Sequence, residues 1–126
     1  MLEVLKIQNA AEQISLCQDC GVAYDPRCMA YRVKVDWKVL GIITFFMGAA
    51  CGYLCDVKPL PDANDDNAFF IAARGTLDFM NRHGAEEAFF LNPASCGEPL
   101  AKQIGFAQKD GVWQMKLSGF FTEHKH

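Results

Sequence analysis

Glycine is missing from the one place where it would say most. None occurs between Gly52 and Gly75, although an apolar strand-like run ends at Val57 and a helical pattern starts near Asn67. Strand-to-helix turns that cradle phosphate rely on glycine to bring backbone N–H groups close to the anion. Here the loop reads Asp62-Ala63-Asn64-Asp65-Asp66-Asn67. No P-loop and no dinucleotide glycine fingerprint is present. Runs of Lys and Arg are also absent, and the net charge is −3 with a pI near 5.5, so nucleic acid is not an expected partner. The three histidines, His83, His124 and His126, sit at a helix end or at the chain end, which leaves nothing like a Ser-His-Asp triad. A second Cys-x-x-Cys to match Cys17-x-x-Cys20 is lacking. The six cysteines therefore read as reduced structural thiols rather than as a zinc site or a disulfide framework. Met1-Leu2-Glu3-Val4 has none of the charged-then-apolar design of a secretory signal, and the expected location is cytoplasmic.

What the chain does have is apolar mass. Hydrophobic residues make up 51% of its 126 positions and ten are Phe, enough for one aromatic-rich core in a single domain spanning 1–126. No residue from Val39 to Cys55 is charged, and Gly48 and Gly52 stand in a G-x-x-x-G spacing. A membrane helix needs roughly 20 apolar residues. This run is shorter, and Met47-Gly48-Ala49-Ala50 reads as a turn between two buried strands, so no membrane partner is expected.

The local patterns order the elements. Leu2 to Ile7 forms a strand. Asn9 followed by Glu12 resembles a capping box opening a short helix that Gly21 ends. Tyr31, Val33 and Val35 alternate with Arg32 and Lys34 as in a half-exposed strand, Asp36-Trp37-Lys38 turns the chain, and Val39 to Met47 reads as a strand buried on both faces. Cys51 to Val57 follows as the next strand, with Cys51 and Cys55 on one face in the core. A helix from Asn67 to about His83 places Phe69, Ala73, Leu77 and Met80 on a core-facing stripe, with Arg74, Asp78 and Arg82 away from it. Glu87 to Leu91 makes a strand parallel to the one before the helix. Pro99 to Ile104 is a short helix ended by Gly105. Lys109-Asp110-Gly111 joins the last two strands, the second carrying Trp113, Met115 and Leu117 inward. Glu86-Glu87 reads as solvated charge at a strand start. His124-Lys125-His126 reads as a terminal tail, and Phe120-Phe121 as a candidate self-association patch.

Two motifs then point to a family. Val57-x-Pro59 leads into the loop, and Leu100-Ala101-Lys102-Gln103-Ile104-Gly105-Phe106 forms a short helix ending in Gly-Phe before the last strands. Both resemble the corresponding segments of the GNAT N-acetyltransferases, as does the element order from Tyr31 onward. The resemblance implies an α/β fold: a GNAT-like mixed central sheet with an antiparallel meander, a long helix and a splayed strand pair, the family's second helix being shortened or lost. It also implies an acyl-CoA-dependent N-acetyltransferase-like protein with acetyl-CoA or another acyl-CoA as cofactor, held at Val57 and Asn92. The family's phosphate-facing positions fall on Asp62, Asp65 and Asn67. Its proton-donating Tyr falls on Ala101, with Cys96 nearby, and no catalytic residue is assigned. Asn92 also fits as the turn residue before Pro93. The alternative is a non-catalytic GNAT-fold module that binds a small molecule or a peptide, or pairs with a second copy as a homodimer.

Overall fold

Alternating side chains build the first half of the sheet. In the computed structural model, which describes residues 1–119, strand β1 (Leu2–Lys6) pairs antiparallel with β2 (Met29–Val35), β2 with β3 (Lys38–Met47), and β3 with β4 (Cys51–Pro59). Phe120-Phe121 and His124-Lys125-His126 lie outside the described residues. The turn between β2 and β3 holds Asp36 at φ 47° and Trp37 at φ 78°, the primed conformation that matches the twist of a two-residue hairpin. Its Trp37 side chain is 91% exposed. From Leu40 to Phe45 every residue is buried, as the uncharged run predicts.

Helix α1 (Ala10–Cys20) begins where Asn9 Oδ1 accepts the Glu12 N–H at 2.8 Å and ends at Gly21 with φ 76°. Glu12 does not close the box; its carboxylate reaches across to Arg32 at 2.7 Å. Helix α2 (Asp66–Arg82) buries the predicted stripe of Phe69, Ala73, Leu77 and Met80. Arg74 lies off that stripe, as expected, and turns toward the later chain: its Nε donates to the Ile104 carbonyl at 2.5 Å and its guanidinium lies 4.8 Å from the Phe70 ring. Strand β5 (Glu87–Phe90) then runs parallel to β4, and α3 (Glu98–Ile104), β6 (Ala107–Lys109) and β7 (Val112–Lys116) complete the chain. Strand order is β1-β2-β3-β4-β5-β7-β6, with β4–β5 the parallel pair among antiparallel neighbours.

Helices α2 and α3 cover one face, where Val33, Ile43, Phe45, Leu54, Val57, Ala88 and Phe90 meet them. Helix α1 covers part of the other, packing Leu16, Cys17 and Cys20 on Ala30 and Ile42. Past α1 that second face carries a ladder of rings instead: Phe46 stacks on Tyr53 at 4.6 Å and Tyr53 on Phe89 at 5.7 Å. The placement of Cys51 and Cys55 in the core is corrected here, because both are only half-buried. Thr44 pairs with Asp56 but Phe45 pairs with Leu54, so Cys55 is the extra residue of a bulge, and a bulge re-aims its side chain. No helix among the described residues is long and apolar enough to cross a membrane.

Candidate functional site

Strands β4 and β5 stay together for four residue pairs and then part. Their last shared bonds run from the Leu91 N–H to the Leu54 carbonyl at 2.8 Å and from the Asn92 N–H to the Cys55 carbonyl at 3.1 Å. The bulge at Cys55 bends one strand, and Pro93, which has no N–H to donate, turns the other chain into a single 3₁₀ turn at Pro93–Ser95. The sequence marked a turn at Asn92-Pro93, but not its 3₁₀ form.

The turn delivers Ser95 into the parting. Its hydroxyl accepts the Val57 N–H at 2.9 Å and donates to the Asn92 carbonyl at 2.7 Å, so one oxygen serves both strands. Val57 is fully buried. The Asn92 side chain donates to Asp56 Oδ1 at 2.8 Å, while the other Asp56 oxygen accepts from the Thr44 hydroxyl at 3.0 Å. Val57 and Asn92, expected from the sequence as cofactor contacts, thus stand at the same place, and each has an intramolecular partner there.

At the start of α2 the Asp65 carboxylate accepts the Ala68 N–H at 3.1 Å. Asp66 adds a second negative charge to the first turn, where the helix dipole favours it. Asp62 pairs with Lys38 at 3.8 Å on the surface, a contact of little energetic weight. Asp65→Ala is expected to destabilise the fold by about 1 kcal/mol, the usual worth of an N-cap; a midpoint of urea unfolding equal to the parent's would show that the cap is idle.

Helix α3 presents Ala101, fully buried and without a proton to give. Cys96 points back into its own loop, its Sγ 3.7 Å from the Pro93 carbonyl and 3.5 Å from that of Gly97, and burial pushes its thiol up to about 11.

Two depressions flank Leu91, which lines both. The larger, about 540 Å³, is walled by Tyr53, Phe89, Leu91, Pro93, Val112 and Trp113. The smaller, about 200 Å³, is lined by Asp25, Arg27, Cys28, Thr44, Cys55 and Asp56. In it Arg27 grips Asp25 by paired bonds, the shortest 2.7 Å, and this holds the Asp25 carboxyl at about 2. Asp56, Ser95 and the Tyr53–Phe89 pair are the site residues that sequence reasoning missed. Asp56 alone had a usable signal, as the first charged residue after the uncharged run. No group of three or more His, Cys, Asp or Glu arranged to hold a metal occurs among the described residues.

No protein-family model matches the chain, and no curated protein resembles it in sequence. Solved structures do resemble it in shape. The crystal structure of Tetrahymena GCN5 superposes with a TM-score of 0.66 at 12% identity, over 94% of this chain and 98% of that one. The solution structure of the putative N-acetyl transferase YhhK from E. coli, bound to coenzyme A, superposes with a TM-score of 0.58 at 11% identity, over 92% and 98%. At such identities the likeness speaks for the fold, and the chain has the GNAT fold over nearly its whole length.

Proposed function

We propose that this GNAT-fold chain is a non-catalytic module that takes an apolar small molecule or an aromatic-bearing peptide into the cavity walled by Tyr53, Phe89 and Trp113, and that it does not hold acyl-CoA in the usual way. The observation that carries this reading is the Ser95 hydroxyl seated between β4 and β5, taking up the Val57 N–H. An acyl-CoA lying in that gap would have to displace it, leaving a buried N–H to be satisfied anew at a cost of about 1–3 kcal/mol. The entry loop works the same way. A pyrophosphate there would meet Asp62, Asp65 and Asp66 and compete with the Asp65 cap for the helix N-terminus. Replacing several charge-assisted bonds, worth roughly 1.5–3 kcal/mol each, by carboxylate repulsion removes the grip. The ring-lined cavity, by contrast, is open and mostly apolar, the character of a small-ligand site.

The second reading is an acyl-CoA-dependent N-acetyltransferase of unassigned acceptor that binds its cofactor through backbone at Val57 and through Asn92. The coenzyme A in the YhhK structure favours it. Thermal unfolding with acetyl-CoA separates the two, since a ligand at 100 times its dissociation constant adds about 2.7 kcal/mol. No change in Tm is expected at millimolar acetyl-CoA. A saturable rise would overturn the non-catalytic reading and support the second.

A further inference from the structure

The smaller cavity beside Asp56 holds two thiols that the proposed function leaves unused. Cys28 closes the loop from α1 to β2, its N–H donating to the Asp25 carbonyl at 3.0 Å and its own carbonyl accepting from Gln13 Nε2 at 3.2 Å. Cys55 is the bulge residue of β4, turned by the bulge out of the core and toward that loop. Their sulfurs stand 3.6 Å apart, within hydrogen-bonding reach of each other. A disulfide needs about 2.05 Å between sulfurs, so the two must close by little more than an ångström and a half. Both line the same surface depression, which gives a small oxidant access.

We propose that Cys28 and Cys55 are a redox modification site, forming an intramolecular disulfide when the protein meets a peroxide. The Cys28 thiolate attacks one oxygen of hydrogen peroxide, the O–O bond breaks, and the departing hydroxide takes up a proton to leave as water. Cys28 is then a sulfenic acid. The Cys55 sulfur, giving up its proton, displaces the hydroxyl from Cys28 as a second water and the S–S bond forms. Two thiols lose two electrons and one peroxide becomes two waters, so the step balances.

The surroundings assign the roles. Burial raises both thiols, and the carboxylates Asp25 and Asp56 oppose either thiolate. Next to Cys28 in sequence, the Arg27 guanidinium pulls the other way, which gives Cys28 the attacking role. Raised thiols react slowly and are also poor leaving groups, which makes the bridge slow to form and resistant to reduction once made. The bridge would tie the loop to the bulge next to Asp56 and the strand parting, across 27 residues of sequence.

The test is peroxide treatment of the full chain, followed by blocking of free thiols, non-reducing digestion and mass spectrometry. The expected product is a peptide pair linked through Cys28 and Cys55, lost in Cys28→Ser and in Cys55→Ser and reversed by dithiothreitol. Closing a loop of this length constrains the unfolded chain, so Tm of the oxidised parent should rise by about 10 °C, with no rise in either variant. Recovery of both cysteines as separately blocked thiols would overturn the proposal. So would linkage of Cys28 to neighbouring Cys17 instead.

Discussion

Gly41→Val is expected to lower stability by about 3 kcal/mol or more, enough to consume a large part of the margin of a domain of this size. A Cβ at position 41 would lie 2.3 Å from the Lys58 carbonyl oxygen, 2.8 Å from Pro59 Cα and 2.7 Å from the Phe69 ring. Two of those three neighbours are backbone, and moving them means pulling β4 away from β3. The glycine is required for lack of room rather than for an unusual φ. Gly52 offers the contrasting case: its nearest neighbours are Met80 side-chain atoms, with Sδ at 2.3 Å, and a flexible thioether can shift. Urea unfolding of the purified variant is the measurement, and a midpoint close to the parent's would mean that the strands do not approach so closely.

Phe69→Ala carries the second large effect, a loss of about 3–5 kcal/mol. Phe69 is 2% exposed and sits on the first turns of α2, where it meets the sheet beside Gly41. The helix has no other aromatic on its fully buried stripe, since Phe70 and Phe79 are partly exposed. Removing the ring leaves a void that neither Gly41 nor the Lys58–Pro59 backbone can fill. Ile71, two residues on and 47% exposed, supplies the control: Ile71→Ala should change stability by no more than about 0.5 kcal/mol. Equal losses in the two variants would show that the register of α2 is misread.

Much of the scaffold was legible because its signals are local. The Phe69, Ala73, Leu77 and Met80 stripe is set by helical period alone, and all four side chains are buried. Asn9 and Gly21 mark the ends of α1 through bonds that reach no further than four residues. Asp110 and Gly111 take the left-handed conformations that a two-residue hairpin demands. Likewise Val39 to Met47, uncharged throughout, became most of β3, buried from Leu40 to Phe45.

The site was legible only in outline. Val57 and Asn92 were named from the resemblance, yet their actual partners are Ser95 and Asp56, which lie 38 and 36 residues away from them in sequence. Nothing in Asn92-Pro93-Ala94-Ser95 says that the serine will turn inward, because that depends on where β4 bends. The bend itself is one surplus residue, and a single-residue slip in register leaves no trace in composition or in the alternation of so apolar a strand. Cys55 was placed in the core for the same reason. The bulge that misplaced it is also what aligned it with Cys28. The cap at Asp65, by contrast, could be foreseen from an acidic residue just ahead of a helical stripe.

The hairpin tip at Trp37 and the wall residue Trp113 form a pair with opposite surroundings, the first 91% and the second 5% exposed. These are the only two tryptophans in the chain. One emits from water whatever happens inside the fold, and the other from the lining of the ring-walled cavity. The protein therefore carries a built-in optical gauge with its own reference channel: quenchers in solution silence Trp37, and the light that remains reports on what sits beside Trp113.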